Sequence, residues 1–322
     1  MDTTTRPASV TARREFLTRL SLTMGGSMAA LAQAGQGEDL RDLSASLVTP
    51  LLPTMQLGKH SITRLVVGSN PISGYSYMGP IMDRHMKEYF TQTRIIELLI
   101  RCEQAGITAH QFSDPTLMTP ILRTLRERGT KMKFFCLHAG GAGRMPVKQL
   151  VQDTGPIAIV HHGGVTDRLF REGKAQEVHD FVKRVRDAGV LAGVSAHNPD
   201  CIKRIADEGW PVDLFMACFY YITRTPEETQ AMPPVVTEQV GRPFFASDPA
   251  TMCQVLRQVD QPCLGFKILA AGRKCYKKES VEAAFKFAFT QLKPTDGVIV
   301  GMYPRYQAQI QENAQYTQQF AV

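Results

Sequence analysis

Short apolar runs alternate with longer amphipathic segments along most of the chain. Runs rich in β-branched residues occur at 64–70, 107–112, 133–138, 157–162, 191–197, 213–221, 263–269 and 297–303. Continuous apolar runs of this length are typical of parallel strands that are buried on both faces. The segments between them, such as 94–106 and 178–189, repeat their apolar residues with helical spacing and stop at Gly106 and Gly189.

Strand and helix patterns that alternate in this way indicate βαβ units and a parallel sheet. Eight such units in a chain of 322 residues predict an α/β fold, a closed (β/α)8 TIM barrel. We assign residues 56–322 to the barrel and residues 35–55 to a linker or N-terminal cap. The least regular connection, residues 222–248, is long and contains proline, which is typical of a lid or a mobile loop.

Residues 1–34 have the pattern of an export signal peptide. Arg13 and Arg14 precede a weakly apolar stretch over 20–31, and an Ala-Gln-Ala site follows at 32–34. The apolar stretch is too short for a transmembrane helix, so we expect no stable membrane anchor. The paired arginines resemble a twin-arginine signal. They predict that the twin-arginine export machinery is a partner and that the protein is periplasmic or otherwise exported.

The net charge and the cysteine spacing limit the kinds of partner and site that we expect. The formal net charge of +7 is mild for 322 residues, and no long basic run or nucleic-acid-binding motif accompanies it. We therefore expect a small-molecule substrate and no nucleic acid. The seven cysteines are scattered without a C-x-x-C pair, which argues against a zinc ribbon, a dithiol redox motif and a complete disulfide framework.

Histidines follow several of the predicted strands. Catalytic residues of TIM barrels lie at the carboxyl ends of the strands, and four histidines occupy such positions: His110, His138, His161 and His197. Neutral imidazoles that converge on a cavity can bind a divalent metal, which polarises a carbonyl or acidifies a water. No H-x-H or H-E-x-x-H spacing accompanies them, so packed or solvated histidines are the alternative interpretation.

Lys267 is a further candidate because it lies within the seventh apolar run, where a lysine is rarely needed for packing. It could form a Schiff base, hold an anion or pair with a buried acid. Basic residues follow it between 273 and 278, and TIM barrels often bind phosphate after their seventh and eighth strands. A solvated basic loop is the other interpretation of this segment.

Five segments together resemble the aldo/keto reductase superfamily. The segment "LGKHSITRLVVGSNPISG" (57–74) resembles the opening hairpin and first strand of that family. Its fifth, sixth and seventh strands are resembled by "GVSAHN" (193–198), "VDLFMACFYYITR" (212–224) and "FKILAAGR" (266–273). The segment "QENA" (311–314) resembles its C-terminal helix. The resemblance covers nearly the whole chain after the signal peptide. It implies a barrel that reduces carbonyl compounds with NADPH.

The resemblance assigns roles to single residues only in part. His161 matches the family's catalytic histidine at the end of the fourth strand, so we predict that His161 faces the cavity and that His162 begins the turn. The family's aspartate, tyrosine and lysine are replaced by Gln111, Thr116 and His138. Without that tyrosine and lysine, the family's proton relay to a nascent alkoxide is absent.

On the cofactor side, Ser195 and Asn198 resemble the pair that holds the nicotinamide amide. Phe266 falls where an aromatic ring stacks on the nicotinamide, and Arg305 is placed to contact an adenosine phosphate. Met216 replaces the glutamine that completes the amide clamp in the family. The resemblance therefore implies an NAD(P) site with an incomplete set of contacts.

Three functions follow from these observations. The first is a non-redox lyase, isomerase or hydrolase that acts beside a carbonyl of a sugar-like or hydroxy-carbonyl compound, with or without a metal. The second is a divergent NAD(P)-dependent oxidoreductase, in which Tyr220 or Tyr303 replaces the missing acid. The third is a binding protein on a former enzyme scaffold, because a fold does not fix a function. The candidate catalytic residues are His110, His138, His161, Tyr220 and Lys267.

Overall fold

The computed structural model describes residues 51–141, 143–232, 242 and 244–321. Two short strands come first, β1 (Thr54–Leu57) and β2 (His60–Thr63). The other strands are β3 (Leu65–Gly68), β4 (Ala109–Phe112), β5 (Lys133–His138), β6 (Ala158–His161), β7 (Leu191–Ala196), β8 (Leu214–Cys218), β9 (Cys263–Phe266) and β10 (Gly297–Gly301). Strands β3 to β10 pair in parallel in sequence order, and β10 pairs with β3, so the sheet closes into a barrel.

Helices alternate with the barrel strands. They are α1 (Pro80–Tyr89), α2 (Gln92–Gln104), α3 (Pro115–Glu127), α4 (Val147–Thr154), α5 (Gly163–Arg171), α6 (Ala175–Asp187), α7 (Pro199–Asp207), α8 (Pro226–Gln230), α9 (Asp248–Leu256), α10 (Lys278–Gln291) and α11 (Gln309–Phe320). The predicted (β/α)8 TIM barrel is confirmed. Among the described residues, no helix is long and apolar enough to span a membrane.

The strands bury both of their faces. Inward side chains such as Val66, Ala158 and Val160 form a core inside the barrel, while outward ones such as Val67 and Ile159 pack against the helices. Adjacent residues of a strand point to opposite sides. Here, therefore, one side of each strand faces the inner core and the other faces the helices.

The β1–β2 hairpin closes the amino-terminal end of the barrel. Met55, Leu57 and Ile62 are buried in the same apolar cluster as the inward strand residues. The hairpin begins at Thr54, inside the stretch 35–55 that was predicted as a linker or cap. The predicted export signal, 1–34, lies outside the described residues, and export remains a prediction.

Two helices that start at the opposite end of the barrel, α3 and α7, are capped by side chains. Asp114 accepts a hydrogen bond from the Leu117 N–H at 3.0 Å, and Asn198 accepts one from the Asp200 N–H at 3.0 Å. Helix α5 has no such cap, since the side chain of His162, which precedes the helix, forms no capping hydrogen bond with its first turn. Of the predicted lid at 222–248, the structure describes α8 and a few flanking residues, so the lid also remains a prediction.

Candidate active site

A cavity of about 690 Å³ opens at the carboxyl ends of the barrel strands. Its inner part is lined by the polar and aromatic side chains Gln111, His162, Ser195, His197, Phe266 and Lys267. Methionines and tyrosines line its outer part, including Tyr75, Met78, Met82, Met86 and Tyr303. A cavity with a few converging polar groups at the carboxyl ends of barrel strands is the default candidate for an active site.

The adjacent histidines at the end of β6 point in opposite directions. Val160 faces the inner core, so His162, two residues later, continues on the inward side and lines the cavity. His161 follows Ile159 on the outward side, next to the helices. The prediction that His161 faces the cavity is therefore wrong, because the strand alternation extends one residue beyond the end of β6.

His138 and His161 pack together outside the barrel wall. The Phe181 ring of α6 lies with its centroid 5.7 Å from that of His138 and 4.9 Å from that of His161. His138 Nε2 lies 2.9 Å from the Met145 carbonyl oxygen, and His161 Nδ1 lies 2.8 Å from Thr166 Oγ1. Both rings have packing and hydrogen-bonding roles, and neither lines the cavity.

His110 also points outwards. Its Nδ1 lies 2.9 Å from the Val67 carbonyl oxygen, and its ring meets Phe134 edge to face at 6.4 Å. Three of the four predicted metal ligands therefore lie behind the strands, and only His197 faces the cavity. Within the part of the chain that the structure describes, no three His, Cys, Asp or Glu side chains are placed to share a metal ion. The predicted four-histidine metal site does not fit this geometry.

His197 forms a buried pair with Asp167, one turn into helix α5. Nδ1 of His197 lies 2.8 Å from Oδ2 of Asp167, and the two residues are 7% and 3% exposed. Asp167 also accepts hydrogen bonds from the backbone N–H groups of His197 and Asn198 and from the Thr223 hydroxyl. These bonds orient the imidazole and make Nδ1 the protonated nitrogen. Nε2 has no hydrogen-bond partner among the described residues and is the nitrogen left for the cavity.

Lys267 places a positive charge in the same cavity. Its Nζ lies 4.1 Å from the ring centroid of Tyr77 and 5.3 Å from that of Phe266. The ring of His197 meets Phe266 edge to face at 5.7 Å, so the lysine and the histidine both lie near the same aromatic ring. Lys267 and Tyr77 both have φ of 59°, a conformation that costs free energy for residues other than glycine. Such local strain often accompanies functional sites.

Both cavity histidines are neutral near pH 7. Burial is the largest cause of a shift that lowers the pKa of His162 to about 4, and the nearby His197 and Lys267 contribute to it. Burial also lowers the pKa of His197 below its ordinary value, although the hydrogen bond and the charge of Asp167 oppose this shift. A neutral His197 with a proton on Nδ1 carries a lone pair on Nε2, so it can act as a general base.

Of the remaining predicted site residues, two line the cavity and three lie elsewhere. Ser195 and Phe266, predicted as cofactor contacts, line the cavity. Asn198 instead caps α7 with its side chain. Arg305 lies on the surface, where its guanidinium is 2.9 Å from His85 Nε2. Tyr220 packs into the outer core against Phe244, with ring centroids 5.0 Å apart, and burial raises its pKa to about 12.

Three residues of the site were missed in the sequence. His162 was assigned to the turn, although its spacing of two from Val160 is the signal that could have placed it inside. Asp167 and Thr223 carried no local signal. Asp167 contacts His197 although the two residues are 30 positions apart in the chain. Thr223 belongs to the site only through its hydrogen bond to Asp167.

Comparison with solved structures identifies the barrel at low sequence identity. A glycerol dehydrogenase from Gluconobacter oxydans, an aldo/keto reductase, gives a TM-score of 0.51 at 12% identity over 82% of this chain and 90% of that one. A phospho-2-dehydro-3-deoxyheptonate aldolase from Thermotoga maritima gives 0.49 at 11% identity over 84% and 73%. No family model and no curated protein sequence matches this chain. The similarity to the glycerol dehydrogenase agrees with the closed eight-stranded barrel and concerns the fold alone.

Proposed function

We propose that this protein is an exported enzyme that performs non-redox acid/base chemistry on a small sugar-like or hydroxy-carbonyl compound. The observation that carries the proposal is the Asp167–His197 pair, which leaves one imidazole nitrogen for a cavity that also contains the Lys267 ammonium. A base oriented by a buried carboxylate and placed near a cation is an arrangement suited to proton transfer beside a carbonyl.

In this mechanism, Nε2 of His197 removes a proton from the carbon next to the substrate carbonyl. The electron pair of the broken C–H bond forms an enolate, and Lys267 stabilises the negative charge on its oxygen. Asp167 stabilises the imidazolium that forms, because its carboxylate already accepts the Nδ1 hydrogen bond. In an isomerisation, the hydroxyl proton on the adjacent carbon moves to the enolate oxygen as the new carbonyl forms, and the His197 imidazolium returns its proton to the former carbonyl carbon. In an elimination, the enolate electrons form the new C=C bond, the β-substituent leaves with the electron pair of its bond, and the imidazolium can protonate it.

Hydrogen exchange tests this step without knowledge of the full reaction. The protein is incubated in D2O with a panel of aldoses, ketoses, sugar acids that retain a carbonyl, keto acids and smaller hydroxy-carbonyl compounds, and exchange at the carbon beside the carbonyl is followed by NMR. We expect exchange with at least one compound, and loss of that exchange in His197→Asn. His60→Asn, a change in the β1–β2 hairpin at the other end of the barrel, is the matched control. Absence of exchange with every compound, or equal exchange in His197→Asn, would reject the proposal.

A divergent NAD(P)-dependent oxidoreductase is the second candidate, because Phe266 and Ser195 line the same cavity. When bound, the cofactor would supply hydride transfer, with Phe266 positioned to pack on the nicotinamide and Ser195 to hydrogen-bond its amide. The fit is partial, since Asn198 caps a helix and Arg305 is paired with His85 on the surface. Titration of the protein with NADPH and NADH, followed by nicotinamide fluorescence, decides between the candidates. Binding that Phe266→Leu weakens would favour the redox function.

A further inference from the structure

Helix α5 begins at the cavity with two glycines. Gly163 and Gly164 both line the cavity, and their backbone N–H groups have no acceptor among the described residues. Helix α5 has nine residues, so its N-terminus carries a partial positive charge from the aligned peptide dipoles. Free N–H groups and this dipole together attract anions.

A second unpartnered group lies at the same place. Ser195 on β7 is fully buried, lines the cavity, and has an Oγ atom without a hydrogen-bond partner in the described part of the chain. A Cβ atom placed on Gly163 would lie 2.8 Å from Ser195 Oγ and 3.1 Å from His197 Cε1. The serine hydroxyl and the helix start are therefore close neighbours. A buried hydroxyl without a partner indicates a position where a ligand atom completes its hydrogen bond.

The charges around this position favour an anion. Lys267 and Arg242 both line the cavity and both act on His197, and Lys267 acts on His162 as well. The nearby carboxylate, Asp167, lies behind the His197 ring and already accepts bonds from His197, Asn198 and Thr223. His162 is neutral because burial lowers its pKa to about 4. An anion at the start of α5 would thus meet three uncommitted donors in a cavity that is also lined by the cations Lys267 and Arg242.

We propose that the start of α5 binds the carboxylate of the substrate, which is then a small hydroxy-carbonyl acid or a sugar acid that retains a carbonyl group. The N–H groups of Gly163 and Gly164 and the hydroxyl of Ser195 donate hydrogen bonds to its two oxygens. This inference rests on the proposed function, because it places the carbon chain of the substrate beside Nε2 of His197. It also explains Gly163, since a side chain there would meet Ser195 and His197.

Calorimetric titration with matched pairs of compounds tests the carboxylate site. D-gluconate is compared with D-glucitol and D-glycerate with glycerol, at pH 7 in a low-salt buffer. We expect at least one acid to bind tenfold or more tightly than its alcohol, and Ser195→Ala to weaken that binding about tenfold. Ser247→Ala, which changes an exposed serine outside the cavity, should bind like the wild type. Equal binding of acids and alcohols, or unchanged binding in Ser195→Ala, would overturn the proposal.

Two further measurements make the result specific. Gly163→Ala should abolish binding of the acid, and thermal unfolding shows whether that variant is folded. If it is not folded, Ser195→Ala, which adds no atoms, decides the outcome. Inorganic phosphate is titrated as well, and phosphate binding tighter than that of both acids would overturn the assignment to a carboxylate.

The two proposals can fail separately. Hydrogen exchange that depends on His197, combined with unchanged acid binding in Ser195→Ala, would keep the proposed function and reject the carboxylate site. Acid binding that depends on Ser195, without any hydrogen exchange in the compound panel, would keep the site and reject the proposed chemistry.

Discussion

Two groups of histidines occupy opposite sides of the same barrel wall. His110, His138 and His161 face the helices, where protein groups surround their rings. His162 and His197 face the cavity, and only the second is paired with a carboxylate. The outer histidines form hydrogen bonds with a neighbouring strand, a loop and a helix. The inner ones are positioned to meet a ligand.

The comparison shows that a shifted pKa does not by itself identify a functional histidine. Burial lowers the pKa of outward His161 to about 3, with help from His162 and His138, and that of cavity-lining His162 to about 4. Desolvation lowers the pKa of a packed ring as well as that of a ring that lines a cavity. What separates the two groups is access to the cavity and, for His197, a carboxylate that orients the ring.

The largest expected effect is on the inner group. Removal of the base in His197→Asn should lower the turnover rate by about 100-fold to 10,000-fold, the range of general acid–base catalysis. The midpoint of thermal unfolding should change little. Turnover or hydrogen exchange with the best compound of the panel measures the effect. A variant that keeps more than half of the wild-type rate would contradict the assignment of His197.

Asp167→Asn should have a smaller effect, with a rate at least about tenfold lower because the imidazolium loses its counter-charge. Asp167 raises the pKa of His197 against the effect of burial. Its removal therefore lowers that pKa further, and the acidic limb of the pH–rate profile should move to lower pH. A merely structural role for Asp167 would lower the amount of folded protein and leave the midpoint of the profile in place.

On the outer side, His161→Ala should reduce the free energy of unfolding by about 2 kcal/mol, the cost of losing a buried contact and hydrogen bond. The rate per folded molecule should remain within about twofold, because the ring lies behind the wall. Urea unfolding of His161→Ala and of His60→Ala, a change in the β1–β2 hairpin, gives the comparison. A large loss of rate without loss of stability would show that His161 reaches the substrate after all.

Acid should destabilise the protein through both groups. The unfolded chain binds protons at an ordinary histidine pKa of about 6.5, whereas folded His110 and His162 do so only at about 4 and His161 at about 3. Between these values the unfolded state binds more protons, so stability falls as pH decreases from about 6.5. Urea unfolding at several pH values should show this slope, and His161→Ala should reduce it. Constant stability between pH 7 and 5 would contradict the assigned burial.

The smallest expected effect is that of metal removal. Because three of the four candidate ligands face away from the cavity, treatment with EDTA should leave the unfolding temperature and the hydrogen exchange unchanged. A loss of exchange that Zn²⁺ restores would indicate a metal bound through residues outside the described ranges.

The sequence by itself determined the architecture. The order of strands and helices depends on periodicities within short segments, and these local patterns predicted the eight parallel strands and their closure. The order of the strands also places Ser195, His197, Phe266 and Lys267 at the carboxyl end of the barrel, because parallel strands share one carboxyl edge.

Only the tertiary structure decided which side chains meet. Both faces of a barrel strand are apolar, so the run before His161 and His162 contains no polar alternation that marks the inward side. The partner of His197 was equally hidden, because Asp167 reaches it only through the packing of α5 against β7. Local patterns specify where a strand ends, but the direction of each ring and its partner depend on how the helices pack around the barrel.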